Sequence, residues 1–466
     1  MSDTPAKKLP VVPPQYIYPF ILVTSLFALW GFANDFTNPL VRVFKEVFLI
    51  SNAQSSLVQF AFYGGYFTMA IPAALIIRKV SYAWGIYIGL GLYALGALLT
   101  IPAATMMEFN LFLVGFYVLT FGLAFLETSA NPYILSMGPP ETATRRLSLA
   151  QAFNPAGSLT GMAVATFLIL PNLQIAEFRE AEVAANPEYA TMLPSEVDGL
   201  VTQSMEAFAA NEPAAHQQMV AHDLSVVIIP YVTIAVIVLG VLALFLFSKM
   251  PDAGDESEQI SLGRLIKRLM TFHYLGGVLA QAFYVGAQIM CWTFIIHYGM
   301  ILLGLSAAEA QGYNLIAMAI HLAGRFICTY LLKYVNPGKM LALLAIGALI
   351  CTLGAIFAPG MAGLYFLIGI SGCMSIMFPT IYGIALEGLT PNDAKLGSAG
   401  LIMAIVGGAL MPPLMGRIID GPDQNVLGIA LESVRYSFFL PAVCFVMIAL
   451  YGYLAQRMER RDPALA

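Results

Sequence analysis

Twelve long apolar segments recur along the sequence, and they limit the possible folds more than any other feature. A bilayer core about 30 Å thick is crossed by roughly 20 helical residues, so each segment is predicted to be a membrane-spanning helix. The predicted spans are residues 18–49, 55–78, 82–103, 109–137, 145–171, 224–248, 272–303, 308–334, 338–358, 361–388, 396–419 and 433–456. We therefore expect an all-α membrane protein with twelve transmembrane helices.

The composition agrees with a lipid environment. Of the 466 residues, 59% are hydrophobic and only 11% are charged, whereas soluble proteins carry about 25% charged residues. The net charge is −5 and the sequence has no long basic stripe, so we expect membrane lipid and not nucleic acid around it. The cysteines lie in apolar segments without paired spacing, which predicts neither a disulfide framework nor a metal site.

Lysine and arginine residues predict the orientation, because basic residues near span ends are retained in the cytoplasm. With the N-terminus inside, sixteen of them fall on inside segments and five on outside segments, and Arg325 falls within a span. The polar tails, residues 1–17 and 457–466, are thus both predicted to be cytoplasmic. We expect a multi-pass protein of the cell membrane, the inner membrane in a Gram-negative bacterium, and a monomer.

Two hydrophilic segments divide the chain. Residues 249–271 are the longest inside segment and separate six spans in 18–248 from six spans in 272–456, which predicts two six-helix bundles joined by a cytoplasmic linker. Residues 172–222 form a long outside loop with eight acids and one arginine. That loop is interpreted either as a lid that repels anions or as a solvated insertion, because acidic runs are usually solvated.

Two carboxyl groups lie within predicted spans of the N-terminal half, where ionisable residues are costly and usually functional. Glu127 lies near the centre of the fourth span, in GLAFLETSANPYIL. Burial away from water favours a neutral carboxyl, so such a group can accept a proton on one side and release it on the other. Glu127 and Asp35 are the candidate proton-coupling residues. Permanent internal pairing of Glu127, or an interfacial position for Asp35, remains the alternative.

Amide side chains accompany these acids. On a helix, Asn38 lies beside both Asn34 and Asp35, and further amides occur at Asn131, Gln151 and Asn154. Prolines follow each cluster and remove the hydrogen-bond donor to the carbonyl four residues earlier. Pro39, Pro132 and Pro155 are therefore expected to break helices beside a hydrophilic cavity. Amides and carboxylates together suit a ligand rich in hydroxyl groups.

The C-terminal half offers a matching helical face. Gln281, Tyr284, Gln288 and Trp292 recur at spacings of three and four, and we expect them to bind substrate. Aromatic packing and interhelical hydrogen bonding by the glutamines is the alternative. Arg325 is interpreted as a gating residue or a pairing residue at a helix end, and not as a ligand of the substrate.

Four residues before Arg325, His321 is interpreted as a satisfied internal histidine. The sequence contains no phosphate-binding loop, metal-spaced histidines or nucleophile elbow, so no catalytic or metal-binding residue, no cofactor and no enzymatic activity are predicted.

Several passages resemble the fucose:proton symporter family of the major facilitator superfamily. They include WGFAND, FAFYGGYF, LETSANPY, LSLAQAFNPAG, LAQAFYVGAQIMCW and MSIMFPTIY, and the similarity runs through nearly all spans. The resemblance implies two six-helix bundles and import of a monosaccharide, L-fucose or a related sugar, by proton symport with alternating access. It also implies that Glu127 couples to the proton and that Gln151 and Asn154 contact the sugar.

The chain also departs from the family pattern. Asn38 stands where the family has a first-span aspartate, Asp35 stands where the family has asparagine, and Phe378 replaces a tyrosine. Either Asp35 substitutes for that aspartate or coupling depends on Glu127 alone. Sodium coupling is an alternative because relatives include sodium-coupled glucose carriers. A non-transporting membrane sugar sensor is the alternative from a different class.

Overall fold

The computed structural model describes residues 9–50, 52–55, 57–192, 194–251, 263, 269–305, 307–426 and 428–459. Within these residues, twelve helical segments are long and apolar enough to cross a membrane. Most of the predicted linker at 249–271, residues 1–8 of the first tail and residues 460–466 of the second lie outside the described residues.

The first six spans are single or interrupted helices. Their bounds are Ile17–Val47; Leu57–Lys79; Tyr82–Leu98 with Thr100–Thr105; Phe109–Ser136; Ala143–Gln151 with Phe153–Val164; and Pro213–Phe247. The last six have the bounds Phe272–Leu303; Ala307–Leu331; Pro337–Phe357; Met361–Met374 with Met377–Ala385; Pro391–Met403 with Gly407–Ile419; and Ser433–Ser437 with Phe439–Glu459. We call the two sets the N-terminal and C-terminal halves.

Shorter elements connect the spans. They are the helices Asn52–Ser55, Gln174–Ala185 and Pro194–Asn211; the 3₁₀ turns Pro14–Tyr16, Pro140–Thr142, Leu170–Asn172, Pro187–Thr191 and Ala404–Val406; the π-helix Ala165–Ile169; and an antiparallel pair of strands, β1 (Gln424–Val426) and β2 (Ile429–Leu431). Because the number of spans is even, the first span begins on the same side as the twelfth ends. We call this the terminal side.

The sixth span begins earlier than hydropathy predicts. Its helix starts at Pro213 and not near residue 224, because the stretch 213–223, which includes five polar or charged side chains, extends the helix beyond its apolar part. The predicted loop at 172–222 is therefore largely helical. The Asp223 carboxylate accepts hydrogen bonds from the backbone N–H groups of Gln174 and Ile175 at 2.8 and 2.9 Å, which caps the helix Gln174–Ala185.

Close packing of glycines brings neighbouring spans together within the N-terminal half. A Cβ atom on Gly96 would lie 2.2 Å from the backbone nitrogen of Leu119, and one on Gly157 would lie 2.0 Å from the carbonyl oxygen of Ala28. Only glycine permits backbones to approach this closely. The third span therefore packs directly on the fourth, and the fifth on the first.

Contacts between the halves gather towards the terminal side. The Tyr82 hydroxyl donates to the carbonyl of Pro391, and the Lys395 ammonium lies 5.0 Å from the centre of the Tyr82 ring. The Ser398 hydroxyl donates to the carbonyl of Thr128 at 3.1 Å. These contacts close the molecule on the terminal side of a central cavity.

Candidate functional site

A cavity lies between the two halves, in the middle of the membrane-spanning region, and holds roughly 1200 Å³ of space including its mouth. Aromatic rings, aliphatic side chains and polar groups share its wall, and such a combination of apolar surface with polar groups is typical of ligand sites. Nine predicted site residues line it: Asn34, Asp35, Glu127, Gln151, Asn154, Tyr284, Gln288, Trp292 and Arg325.

Two other predicted site residues lie away from the cavity surface, and the side chain of a third is not described. Asn131 is fully buried behind the cavity wall. Gln281 is fully buried one helical turn nearer the terminal side than Tyr284, which lies on the wall. The helical spacing correctly predicted the face that carries Tyr284, but the cavity does not extend towards the terminal side as far as Gln281. The side chain of Asn38 lies outside the described residues.

Glu127 lies in the fourth span, where it is only 5% exposed but contributes to the cavity wall. Its carboxyl group lies beside the Tyr66 hydroxyl of the second span. Asp35, on the first span, is more exposed and lies near Tyr63. The two carboxyl groups therefore occupy one cavity, but Glu127 is much more enclosed.

A chain of amides links the fourth and fifth spans behind Glu127. The Asn131 side-chain nitrogen donates to the backbone carbonyl of Glu127 at 3.0 Å, and the Gln151 side-chain nitrogen donates to Asn131 Oδ1 at 2.8 Å. Because Gln151 Nε2 is hydrogen-bonded to Asn131, Gln151 Oε1 points away from Asn131. Asn131 thus positions Gln151 at the cavity wall.

Asn154 is positioned by the close approach of the first and fifth spans. A Cβ atom on Gly31 would lie 2.2 Å from the Asn154 carbonyl oxygen, so the two backbones are nearly in contact. The Asn154 side-chain nitrogen donates to the carbonyl of Phe27 at 3.3 Å. Its amide oxygen is left for other partners at the cavity wall.

The expected helix breaks are only partly present. The first span is continuous through Pro39 and the fourth through Pro132, whereas the fifth is interrupted after Gln151, four residues before Pro155. A long helix tolerates a proline within a membrane when other groups hydrogen-bond to the freed carbonyl.

Side chains of the C-terminal half bond to the carbonyls that Pro132 and Pro155 free. Ser398 donates to Thr128, whose carbonyl is freed by Pro132. Arg325 Nη1 donates at 2.6 Å to Gln151, whose carbonyl is freed by Pro155. The hydrogen bonds that proline removes within a helix are thus replaced by hydrogen bonds between the halves.

Arg325 bonds to a second carbonyl of the same kind. Its Nε donates at 2.6 Å to Ser375, in the interruption of the tenth span and four residues before Pro379. Arg325 is only 4% exposed, so this cation connects the fifth, eighth and tenth spans across the terminal-side end of the cavity. Its geometry fits the predicted gating role.

The C-terminal wall is held by the tenth span. The Tyr284 hydroxyl donates to the carbonyl of Met374 at 3.2 Å, and Trp292 Nε1 donates to the Ser371 hydroxyl at 3.1 Å. His321 Nδ1 lies 3.1 Å from the Ser371 carbonyl, and its ring meets Trp292 edge to face.

Several wall residues escaped the sequence analysis. Gln59, Tyr63 and Tyr66 of the second span line the cavity. Their spacing of four and three in QFAFYGGYF places them on one helix face, and that pattern was the available signal. His321, interpreted as a satisfied internal residue, also lines the cavity. Within the described part of the chain, no group of three or more potential ligands could hold a metal ion.

Comparison with known proteins decides the family. The L-fucose-proton symporter of Haemophilus influenzae is 51% identical over 450 residues, which cover 96% of this chain and 99% of that protein. The chain belongs to the fucose:proton symporter family. The L-fucose-proton symporter of Escherichia coli is 36% identical over 447 residues, with coverages of 94% and 93%. The Major Facilitator Superfamily model matches residues 21–176.

The fold agrees with this family. A crystal structure of the major facilitator superfamily transporter FucP in the outward conformation superposes with a TM-score of 0.78 at 34% identity, and covers 94% of this chain and 99% of that chain. The predicted architecture of two six-helix bundles is thereby confirmed. The chain is a multi-pass membrane protein and a transporter, not an enzyme.

Proposed function

We propose that this chain imports L-fucose, or a closely similar monosaccharide, together with protons by alternating access. The observation that carries this proposal is the enclosed carboxyl of Glu127 in a central cavity lined by amides and aromatic rings. The L-fucose-proton symporters to which the chain is similar support both the sugar and the ion.

The cavity chemistry suits a monosaccharide. Gln151, Asn154 and Gln288 supply amide groups that donate or accept hydrogen bonds from hydroxyls. Tyr284 and Trp292 supply aromatic surface for the apolar faces of a sugar ring. We assign Asn34 and Asn38 to the same binding surface on the first span.

The proton and the gate occupy neighbouring positions. Glu127 takes up a proton while the cavity faces one side and releases it after the halves rearrange. Arg325 holds the terminal side closed through the carbonyls of Gln151 and Ser375. Release of those carbonyls accompanies opening on the terminal side.

Transport is tested with the purified protein in proteoliposomes. Addition of L-fucose outside should alkalinise the external medium, and an imposed proton gradient should drive accumulation. Collapse of a sodium gradient at constant pH should leave accumulation unchanged. Accumulation that requires sodium would replace proton coupling, and binding without counterflow of labelled sugar would instead identify a sensor.

The orientation and oligomeric state are proposed on the sequence evidence. The excess of basic residues on the terminal side supports a cytoplasmic position for both termini. In a Gram-negative cell this membrane is the inner one, and we propose a monomer. A phosphatase that is active only outside the cytoplasm, fused to the C-terminus, should be inactive.

A further inference from the structure

His321 is buried in the cavity wall, and one of its two ring nitrogens is hydrogen-bonded. The residue is 1% exposed and lies in the eighth span. Its Nδ1 lies 3.1 Å from the backbone carbonyl oxygen of Ser371. A carbonyl oxygen only accepts hydrogen bonds, so Nδ1 carries the hydrogen and donates it.

The other ring nitrogen, Nε2, has no hydrogen-bond partner among the described residues. A buried polar atom without a partner is costly, and binding sites commonly retain such atoms for the ligand. Its electronic state follows from its surroundings. Burial away from water disfavours a charged ring, and Arg325, one turn away on the same helix and on the same cavity wall, adds repulsion against a second positive charge. The ring is therefore neutral, and Nε2 is an acceptor.

Neighbouring side chains fix the orientation of this acceptor. The Trp292 ring meets the imidazole edge to face, with the ring centres 5.2 Å apart, and Trp292 Nε1 donates to the Ser371 hydroxyl. Ser371 thus holds Trp292 through its hydroxyl and His321 through its carbonyl. The imidazole cannot rotate freely without breaking the bond at Nδ1.

We propose that His321 is a specificity-determining residue whose Nε2 accepts a hydrogen bond from one hydroxyl of the transported sugar. This assignment depends on the proposed function and adds a chemical requirement to it. The amides of the cavity wall, such as Gln151 and Gln288, both donate and accept hydrogen bonds, so they tolerate donors and acceptors alike. Nε2 in this tautomer accepts only, so it distinguishes a hydroxyl from a group that cannot donate.

Fluorinated sugars test this requirement, because fluorine in place of a hydroxyl removes the donor while it nearly preserves size. Binding of L-fucose and of its singly fluorinated analogues to the purified transporter is measured by calorimetry. For one position of the ring, fluorination should weaken binding by about 10-fold, since a buried acceptor then loses its donor. In the His321→Asn variant, fluorination of the sugar at that position should change the binding affinity less than about twofold.

The variants separate recognition from structure. Asparagine can keep a donor near the position of Nδ1, so His321→Asn preserves the bond to Ser371 but has no acceptor at Nε2. His321→Gln places an amide oxygen nearer the position of Nε2 and should retain part of the discrimination. His297→Phe is the matched control, because His297 lies outside the cavity lining; it should discriminate as the unmodified protein does.

Three results decide the matter. If the fluorinated position discriminates equally in the unmodified protein and in His321→Asn, the assignment of Nε2 is wrong. An increase in KM for L-fucose with the maximal counterflow rate of His321→Asn unchanged supports it. If the unmodified protein binds no L-fucose, the proposed function fails first, and the role of His321 fails with it.

Discussion

The two walls of the cavity carry opposite charges. Both carboxyl groups, Asp35 and Glu127, belong to the N-terminal half, whereas the Arg325 guanidinium belongs to the C-terminal half. Opposite charges in a poorly hydrated space attract strongly, and protonation of a carboxyl removes its share of the attraction. Because the carboxyl groups and the guanidinium belong to different halves, protonation of a carboxyl would weaken the attraction between the halves.

The walls also differ in how their polar groups are held. On the N-terminal wall, Asn131 positions Gln151 through a side-chain amide. On the C-terminal wall, Arg325 and His321 bond to backbone carbonyls of the tenth span. Gln151 is thus held by another amide side chain, whereas Arg325 and His321 are held by the backbone of the tenth span.

Substitution of Glu127 should have the largest effect. Glu127→Gln removes the titrating group but keeps the size and hydrogen-bonding capacity of the side chain. Accumulation driven by a proton gradient should be abolished, whereas counterflow of labelled L-fucose should continue. The exposed Glu177, substituted by glutamine, is the control and should accumulate sugar normally. Proton-driven accumulation by Glu127→Gln would show that another group carries the proton.

Arg325→Lys tests whether Arg325, on the C-terminal wall, closes the terminal-side end of the cavity. Lysine keeps the charge but lacks the planar fork that reaches both Ser375 and Gln151. Loss of one charged hydrogen bond, about 1.5–3 kcal/mol, should slow counterflow by roughly 10- to 100-fold. The exposed Arg417, substituted by lysine, should behave normally. An unchanged rate in Arg325→Lys would indicate that charge alone is required.

Asp35→Asn tests whether the two carboxyl groups of the N-terminal wall are equivalent. Because Asp35 is more exposed than Glu127, removal of its charge should weaken sugar binding by about 5-fold and leave proton-driven accumulation in place. Calorimetry and a proton-gradient uptake assay measure the two effects. Complete loss of accumulation would make Asp35 a second essential proton carrier and remove the contrast with Glu127.

Asn131→Ala tests whether an amide behind the wall acts through Gln151. The residue has no surface in the cavity, yet its loss should weaken L-fucose binding by about 3- to 10-fold because Gln151 Nε2 loses its acceptor. In a Gln151→Ala background, the further change Asn131→Ala should have little effect. Additive losses in the double variant would mean that the two amides act independently.

The sequence predicts the twelve spans well because hydrocarbon imposes a length and polarity that can be read from residues directly. Nine of the expected site residues line the cavity for a similar reason, since polar groups at membrane depth need protein or water around them. Helix continuity at Pro39 and Pro132 was not predictable. At Pro132 it depends on a partner from a distant span, since Ser398 donates to the carbonyl of Thr128.

The same limitation explains Gln281 and His321. Helical spacing shows which side chains share a face but not how deep the cavity between the two halves extends. Gln281 was therefore predicted to line the cavity, although it lies nearer the terminal side than the cavity reaches. For His321, the relevant fact is that only one nitrogen finds a partner, and Ser371 is fifty residues away in the sequence. Both properties arise from packing between spans.

Gln281→Leu should have the smallest effect on transport, and it should make the protein more stable. Both amide atoms of Gln281 are buried without hydrogen-bond partners among the described residues, and an unsatisfied buried group costs about 1–3 kcal/mol. Leucine has a similar length and no polar atoms, so the variant should unfold at a higher temperature and bind L-fucose with unchanged affinity. The neighbouring Gln288, on the cavity wall, provides the contrast: Gln288→Leu should weaken binding. If Gln281→Leu weakens binding as much as Gln288→Leu does, the cavity extends one turn deeper along the seventh span, and Gln281 belongs to the C-terminal wall after all.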